Sequence, residues 1–345
     1  MSMTVSRRAL LGGAAAAGLI GAVPRPASAC SRVFWNDNPV KVVGRTLDWD
    51  APFEEVLWAM PPGLTRTGAV ADNPATWTSK YASVVMGAYD KGAAEGVNDQ
   101  GLAAHLLYLG DSQFEARDPK RPGVAFWLWT QYVLDNFKTV REAIAGLDQA
   151  QIIEASFGPY KDGVPVHLAL SDIDKGSAII EFVDGHAVVH MGQRYQVMTN
   201  EPTYDQQIAN LLRYKEWGGT ITELPGGIQP DERFVRAAYS LKYLPKTDDP
   251  AKSIAYIMGI MNNVSVPFGS PYIGVSGTYP TWWRSVMDLT NRVYAVETTV
   301  TPNVFWVDID KLNNVAGAKP RRLPIYEPTL VGDVSGRFTE APQPF

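Results

Sequence analysis

The chain has 345 residues, 46% of them hydrophobic and 19% charged, with a formal charge of −5. These fractions describe a folded globular chain and exclude a disordered or fibrous one, and the length suits one large domain or two modest ones. A mildly acidic balance leaves no electrostatic footprint for nucleic acid or an anionic membrane.

Arg7 and Arg8 precede an apolar stretch from Ala9 to Val23. Pro24 and Pro26 break it, and Ala27-Ser28-Ala29 supplies the small residues that signal peptidase needs. The stretch falls short of the roughly 20 residues of a membrane span. Residues 1–29 therefore read as a signal peptide cleaved after Ala29, with export to the periplasm or medium. Ser6-Arg7-Arg8-Ala9-Leu10-Leu11 resembles a twin-arginine signal. The segment holds three arginines and no acid, so the remainder carries 28 basic against 36 acidic residues, a net of −8. No later run is long and apolar enough to cross a membrane, and the mature protein is expected to be soluble.

Cys30 is the single cysteine and directly follows the cleavage signal. A lone cysteine in an exported chain forms no internal disulfide. Three readings remain: a chance terminal residue, the acylated anchor of a lipoprotein, or a catalytic thiol with its own free amine. The lipoprotein pattern prefers leucine three residues earlier, where this chain has Ala27. On the third reading the amine, with an ordinary pKa of roughly 7.7–8, takes the thiol proton without a histidine partner.

Beyond Cys30, Ser31–Trp35 and Lys41–Thr46 read as strands joined by a turn over residues 36–39. Strands follow at Ala82–Ala88 and Gly101–Leu109. Val124–Phe137 is apolar around most of its circumference and long enough for a helix, with Trp127 and Trp129 as core. Thr139 is an N-cap candidate for a helix reaching Leu147. Strands then recur at Val166–Leu170, Ser177–Val183, Ala187–Met191 and Gln196–Thr199, with Asp184-Gly185 as a hairpin turn. Thr203–Tyr214, Asp231–Leu244 and Pro250–Asn262 have helical spacing. Trp283–Leu289, Arg292–Glu297 and Asn303–Asp308 return to strands, and the last 25 or so residues read as an extended surface tail. Sheets covered by helices, an α+β class, account for this order.

The four histidines, His105, His167, His186 and His190, form no metal or cysteine-partner set by spacing, and His186 and His190 read as an exposed hairpin. Asn98, in Asn-x-x-Gly, reads as turn chemistry. Arg45 and Asp48 lie on a strand that returns to the Cys30 end. A guanidinium near the sulfur favours thiolate, and a carboxylate there steadies the amine. A surface ion pair is the other reading of those two residues.

Six segments occur in register: Cys30; Arg45-Thr46-Leu47-Asp48; Gly96-Val97-Asn98-Asp99-Gln100-Gly101-Leu102; Leu107-Tyr108-Leu109; Met198-Thr199-Asn200-Glu201-Pro202; and Arg233-Phe234-Val235-Arg236. Together they resemble the choloylglycine hydrolase family of N-terminal nucleophile hydrolases, which contains penicillin V acylases and bile salt hydrolases. The resemblance runs from Cys30 to about Asp308. It implies an αββα four-layer sandwich over residues 30–345, often a homotetramer, with a small-molecule amide substrate and neither metal nor cofactor. It assigns Cys30 as nucleophile, Arg45 and Asp48 as its supporting pair, and Asn200 as an oxyanion donor. Arg233 supports the centre, and the Tyr108 backbone N–H is the second donor. Trp49 and Tyr108 fall at acyl-pocket positions, and residues 263–269 resemble a family segment without an assigned role.

Tyr108, Trp49 and the export signal favour penicillin V acylase-like chemistry, with long-chain N-acyl homoserine lactones as further candidates and bile salt cleavage as the alternative. A lipid-anchored binding protein, acylated at Cys30, is the reading from another class.

Overall fold

A computed structural model describes residues 30–272, 277–301 and 303–345, so the signal-peptide reading of residues 1–29 lies outside the described residues. The chain enters as β1 (Ser31–Trp35) and β2 (Val42–Asp48), followed by β3 (Val56–Met60) and a small ribbon of β4 (Thr65–Thr67) and β5 (Thr76–Thr78). Next come β6 (Ser83–Ala88), β7 (Gly92–Asn98) and β8 (Leu102–Tyr108). Short β9 (Gly123–Ala125), helices α1 (Trp129–Asn136) and α2 (Val140–Ala145), and β10 (Gln151–Ile153) complete the first half. The second half runs β11 (Val166–Asp172), β12 (Ser177–Val183), β13 (His186–Met191) and β14 (Val197–Met198), then α3 (Tyr204–Leu211), α4 (Pro230–Lys242) and α5 (Pro250–Asn263). It closes with β15 (Thr281–Asp288), β16 (Val293–Thr298), β17 (Val304–Asp308), β18 (Arg321–Pro324), β19 (Gly332–Asp333) and β20 (Thr339–Glu340).

One sheet has seven strands in the order β14-β1-β2-β15-β16-β17-β19, and the other has nine, β13-β12-β11-β8-β7-β6-β3-β18-β20. All neighbours are antiparallel except β17 and β19. The sheets face each other. Arg32 on β1 donates to Leu170 O on β11 at 3.2 Å, and Arg45 on β2 donates to Ala94 O on β7 at 2.9 Å. Helices α4 and α5 cover the outer face of the seven-stranded sheet, and α1 and α2 cover the nine-stranded one. Gly44 of β2 permits that cover, because a Cβ there would stand 2.5 Å from Ile257 Cγ2 on α5. The αββα expectation is met.

Local differences from the sequence reading have physical causes. Val124–Phe137 is a strand, a single 3-10 turn and only then a helix. Ala125 is extended (φ −61°, ψ 140°), and the Gly123 and Ala125 amides bond to Asn73 O and Gly68 O outside any helix. The sequence reading has no strand at β3 or β7, and β7 is built mostly of glycine and alanine, residues depleted in strands. Thr139 caps α2 as expected, accepting from Glu142 N at 3.1 Å. The C-terminal segment is extended, and its short strands join the edges of both sheets.

Candidate active site

The antiparallel pairing of β1 with β2 sets Ser31 opposite Thr46 and Arg32 opposite Arg45, which brings the β2 end back to Cys30. Because side chains alternate along a strand, Arg45 and Asp48 leave β2 on opposite faces. Arg45 enters the layer between the sheets, where Nη2 lies 3.8 Å from Cys30 Sγ. Burial alone would weaken the hold of Arg45 on its proton, but attraction to the Cys30 sulfur and to Glu95 outweighs it and raises the guanidinium pKa.

Asp48 faces the helix layer with Thr46. Thr46 Oγ1 donates to Asp48 Oδ2 at 3.2 Å, Thr281 Oγ1 donates to Oδ1 at 2.5 Å, and Arg233 Nη1 stands 3.8 Å from Oδ2. Burial pushes the Asp48 carboxyl up to about 7, with Arg233 and the two threonine hydroxyls opposing the rise. Thr281 is itself held by Val266 in the 263–269 segment, through Val266 N to Thr281 Oγ1 at 2.8 Å. That segment thus buttresses the carboxylate.

Asn200 follows β14, and Arg233 projects from α4. Asn200 Oδ1 accepts from Cys30 N at 2.5 Å and from Arg233 Nη2 at 2.9 Å, while Nδ2 donates to Tyr108 O at 2.7 Å. Arg233 also donates to Cys30 O (2.8 Å), Ser31 Oγ (2.5 Å) and Ile228 O (2.9 Å). Tyr108 sits opposite Val166, next to a Leu109 N–Pro165 O bond of 3.1 Å. In an antiparallel ladder the position beside such a bond turns its N–H away from the partner strand, so the Tyr108 N–H points off β11.

Cys30 opens on a pocket between the sheets, lined also by Arg45, Trp49 and Tyr108. Trp49 meets Tyr108 edge-on with ring centroids 5.8 Å apart. Phe53, Phe126, Trp127 and Phe157 extend the aromatic wall, and apart from Cys30 and Arg45 the lining carries no ionisable group other than the tyrosine. The three phenylalanines were missed in the sequence, where isolated aromatics look like core. Trp127, expected in the core with Trp129, lies half-buried on the 3-10 turn before α1 and lines the pocket. Trp127 stacks on Phe157 at 5.7 Å.

The remaining sequence expectations fare differently. Asn98 shapes the turn before β8, accepting from Gln100 N and Leu102 N while donating to Leu134 O and Phe137 O. His186 is exposed, but His190 is buried, 3.7 Å from Glu181 and 3.8 Å from Asp205, so only half of that hairpin faces water. Among the described residues no group of three or more His, Cys, Asp or Glu is placed to hold a metal ion.

Comparison with known proteins identifies the family of the chain. A penicillin V acylase from Pectobacterium atrosepticum is 37% identical, over 92% of this chain and 91% of that protein. A bile salt hydrolase/transferase from Clostridium perfringens is 26% identical over 78% of this chain and 89% of its own. The structure of penicillin V acylase from Agrobacterium tumefaciens superposes with a TM-score of 0.82 at 36% identity, covering 90% of this chain and 98% of that one. Residues 30–317 match the family described as "Linear amide C-N hydrolases, choloylglycine hydrolase family". The chain belongs to that family and is a linear amide C–N hydrolase of the penicillin V acylase and bile salt hydrolase type.

Proposed function

We propose that the chain is an exported, penicillin V acylase-like amidase whose nucleophile is Cys30, released as the N-terminal residue by cleavage after Ala29. The observation that carries this reading is the convergence of Arg45, Asn200 and Arg233 on the sulfur, nitrogen and carbonyl of that one residue. The free amine removes the thiol proton, and Sγ attacks the amide carbon. Negative charge gathers on the carbonyl oxygen, with Asn200 Nδ2–H and the Tyr108 N–H as its donors. The amine then returns the proton to the leaving nitrogen, and water hydrolyses the thioester. Removing one oxyanion donor typically costs about 10²–10³ in rate.

The pocket supports the choice of acyl group. Its aromatic wall and lack of further charge suit a phenoxyacetyl ring, which gains edge and face contacts there. A long acyl chain, as in N-acyl homoserine lactones, meets the same apolar lining. The test is a panel of penicillin V, a long-chain acyl homoserine lactone and glycodeoxycholate on protein beginning at Cys30, with Cys30→Ala as control. Faster release of phenoxyacetate than of glycine is expected, and the reverse order overturns the assignment. A diacylglyceryl adduct on Cys30 in the intact mass would instead identify a lipid-anchored protein.

A further inference from the structure

Behind the Cys30 sulfur, the layer between the sheets contains a sealed polar cluster that the reaction described above does not use. Glu95 is the only charged residue of β7 and is fully buried. Its carboxylate reaches across to the opposite sheet. Oε1 accepts from the Tyr294 hydroxyl on β16, and Oε2 lies 3.6 Å from Arg45 Nη1. His105 Nε2 is 3.8 Å from the same oxygen, and burial, then Arg32 and Arg45, hold that imidazole well below its usual pKa, hence neutral at pH 7. Cys30, Glu95 and Tyr294 act electrostatically on Arg45, and His105 borders the same cluster.

A buried ion pair between two apolar sheets is a poor stabilising device, because its desolvation cost offsets its attraction and an apolar replacement is often as stable. Its geometry explains it better. The guanidinium is a rigid fork on a flexible stem. Nη1 donates to Ala94 O at 2.9 Å and stands at ion-pair distance, 3.6 Å, from Glu95 Oε2; the flat face lies over the Trp283 ring at 5.1 Å, and the other arm, Nη2, is left aimed at Sγ. Ala94 O alone is a single acceptor and leaves the fork free to turn about that bond. We propose that Glu95, fixed by Tyr294, is a positioning residue that holds the Arg45 guanidinium on the Cys30 sulfur, a role that rests on Cys30 being the nucleophile.

The test measures kcat, KM and the rate of Cys30 alkylation by iodoacetamide at pH 7 in the mature enzyme. Glu95→Gln keeps the side-chain volume but sets an amide against the guanidinium. It is expected to lower kcat and alkylation roughly tenfold while KM stays within about twofold, the pattern of a lost transition-state contact. Since Glu95 acts through Arg45, Glu95→Gln in an Arg45→Met background is expected to change kcat/KM less than about twofold. Unaltered kcat in Glu95→Gln, or the same tenfold loss in both backgrounds, overturns the role. If Glu95→Gln fails to fold, Tyr294→Phe removes only the hydroxyl on Glu95, and the expected loss is about threefold and again absent beside Arg45→Met. No loss in Tyr294→Phe would then refute the proposal. An active Cys30→Ala enzyme removes the underlying nucleophile assignment instead, so the two failures are distinguishable.

Discussion

Arg233 Nη2 donates to Asn200 Oδ1 at 2.9 Å, and the same oxygen accepts from Cys30 N at 2.5 Å. The helix layer thereby reaches through the seven-stranded sheet and fixes the orientation of the Asn200 amide. With Oδ1 committed to two donors, Nδ2 must face Tyr108 and the pocket.

Arg233→Lys tests that arrangement. A single ammonium cannot reproduce the four acceptors that Arg233 satisfies, Cys30 O, Ser31 Oγ, Asn200 Oδ1 and Ile228 O. The variant is expected to lose on the order of 3–5 kcal/mol of stability, as when a buried charged network is broken. Urea unfolding checks this, and a loss below about 1 kcal/mol would contradict it.

Asn200→Asp keeps the acceptor and exchanges the donor for an acidic oxygen facing Tyr108 O, now 2.7 Å from Nδ2. Turnover is expected to fall about 10²–10³-fold with far less change in KM, because the lost donor acts on charge that develops only in the transition state. Steady-state kinetics on penicillin V decide it. A rise in KM with kcat preserved would place Asn200 in substrate binding alone.

Asp48 gives a pH signature of known sign. Its carboxyl is raised from 3.8 to about 7, mainly by burial. An acid so shifted stabilises the fold while protonated. That contribution is complete below pH 3.8, shrinks as pH rises, and is lost on passing about 7. Asp48→Asn cannot ionise, so the unfolding free energy of the variant minus that of the native chain should rise between about pH 4 and pH 8. A difference independent of pH is the contrary result.

Two neighbouring tryptophans should separate in their effects. Trp129 is buried at 1% exposure, and its replacement by alanine should destabilise the fold by about 3–5 kcal/mol. Trp127 is half-buried at the pocket wall, against Phe157. Trp127→Ala should cost less stability and instead raise KM for penicillin V, on the order of tenfold, as apolar acyl contact is lost. Thermal unfolding and kinetics on the same pair of proteins distinguish pocket from core.

Part of the centre is legible from the lone cysteine and the strand that returns to it, whereas Asn200, Arg233 and Tyr108 are legible only through the resemblance to the choloylglycine hydrolase family. Arg45 and Asp48 were both read as returning to Cys30, and the strand pairing does bring them there. Their opposite faces follow from the three-residue spacing on a strand, a consequence visible only once β2 is paired with β1. Thr46 and Thr281 stayed hidden because threonine is ordinary in strands, and their roles depend on contact with Asp48. Glu95 is a single charge among glycine and alanine, residues that give no strand pattern to place it between the sheets. The acyl pocket was the least legible part, since Phe53, Phe126 and Phe157 converge from segments far apart in the chain.

The central claim is that Cys30 acts with its own free amine. Its most direct test is penicillin V turnover by two purified forms whose intact masses show a chain beginning at Cys30 and one retaining Met1–Ala29. Turnover by the form beginning at Cys30, with none above the Cys30→Ala background from the longer form, is the predicted result. Full activity in the chain that still carries Met1–Ala29 would contradict it.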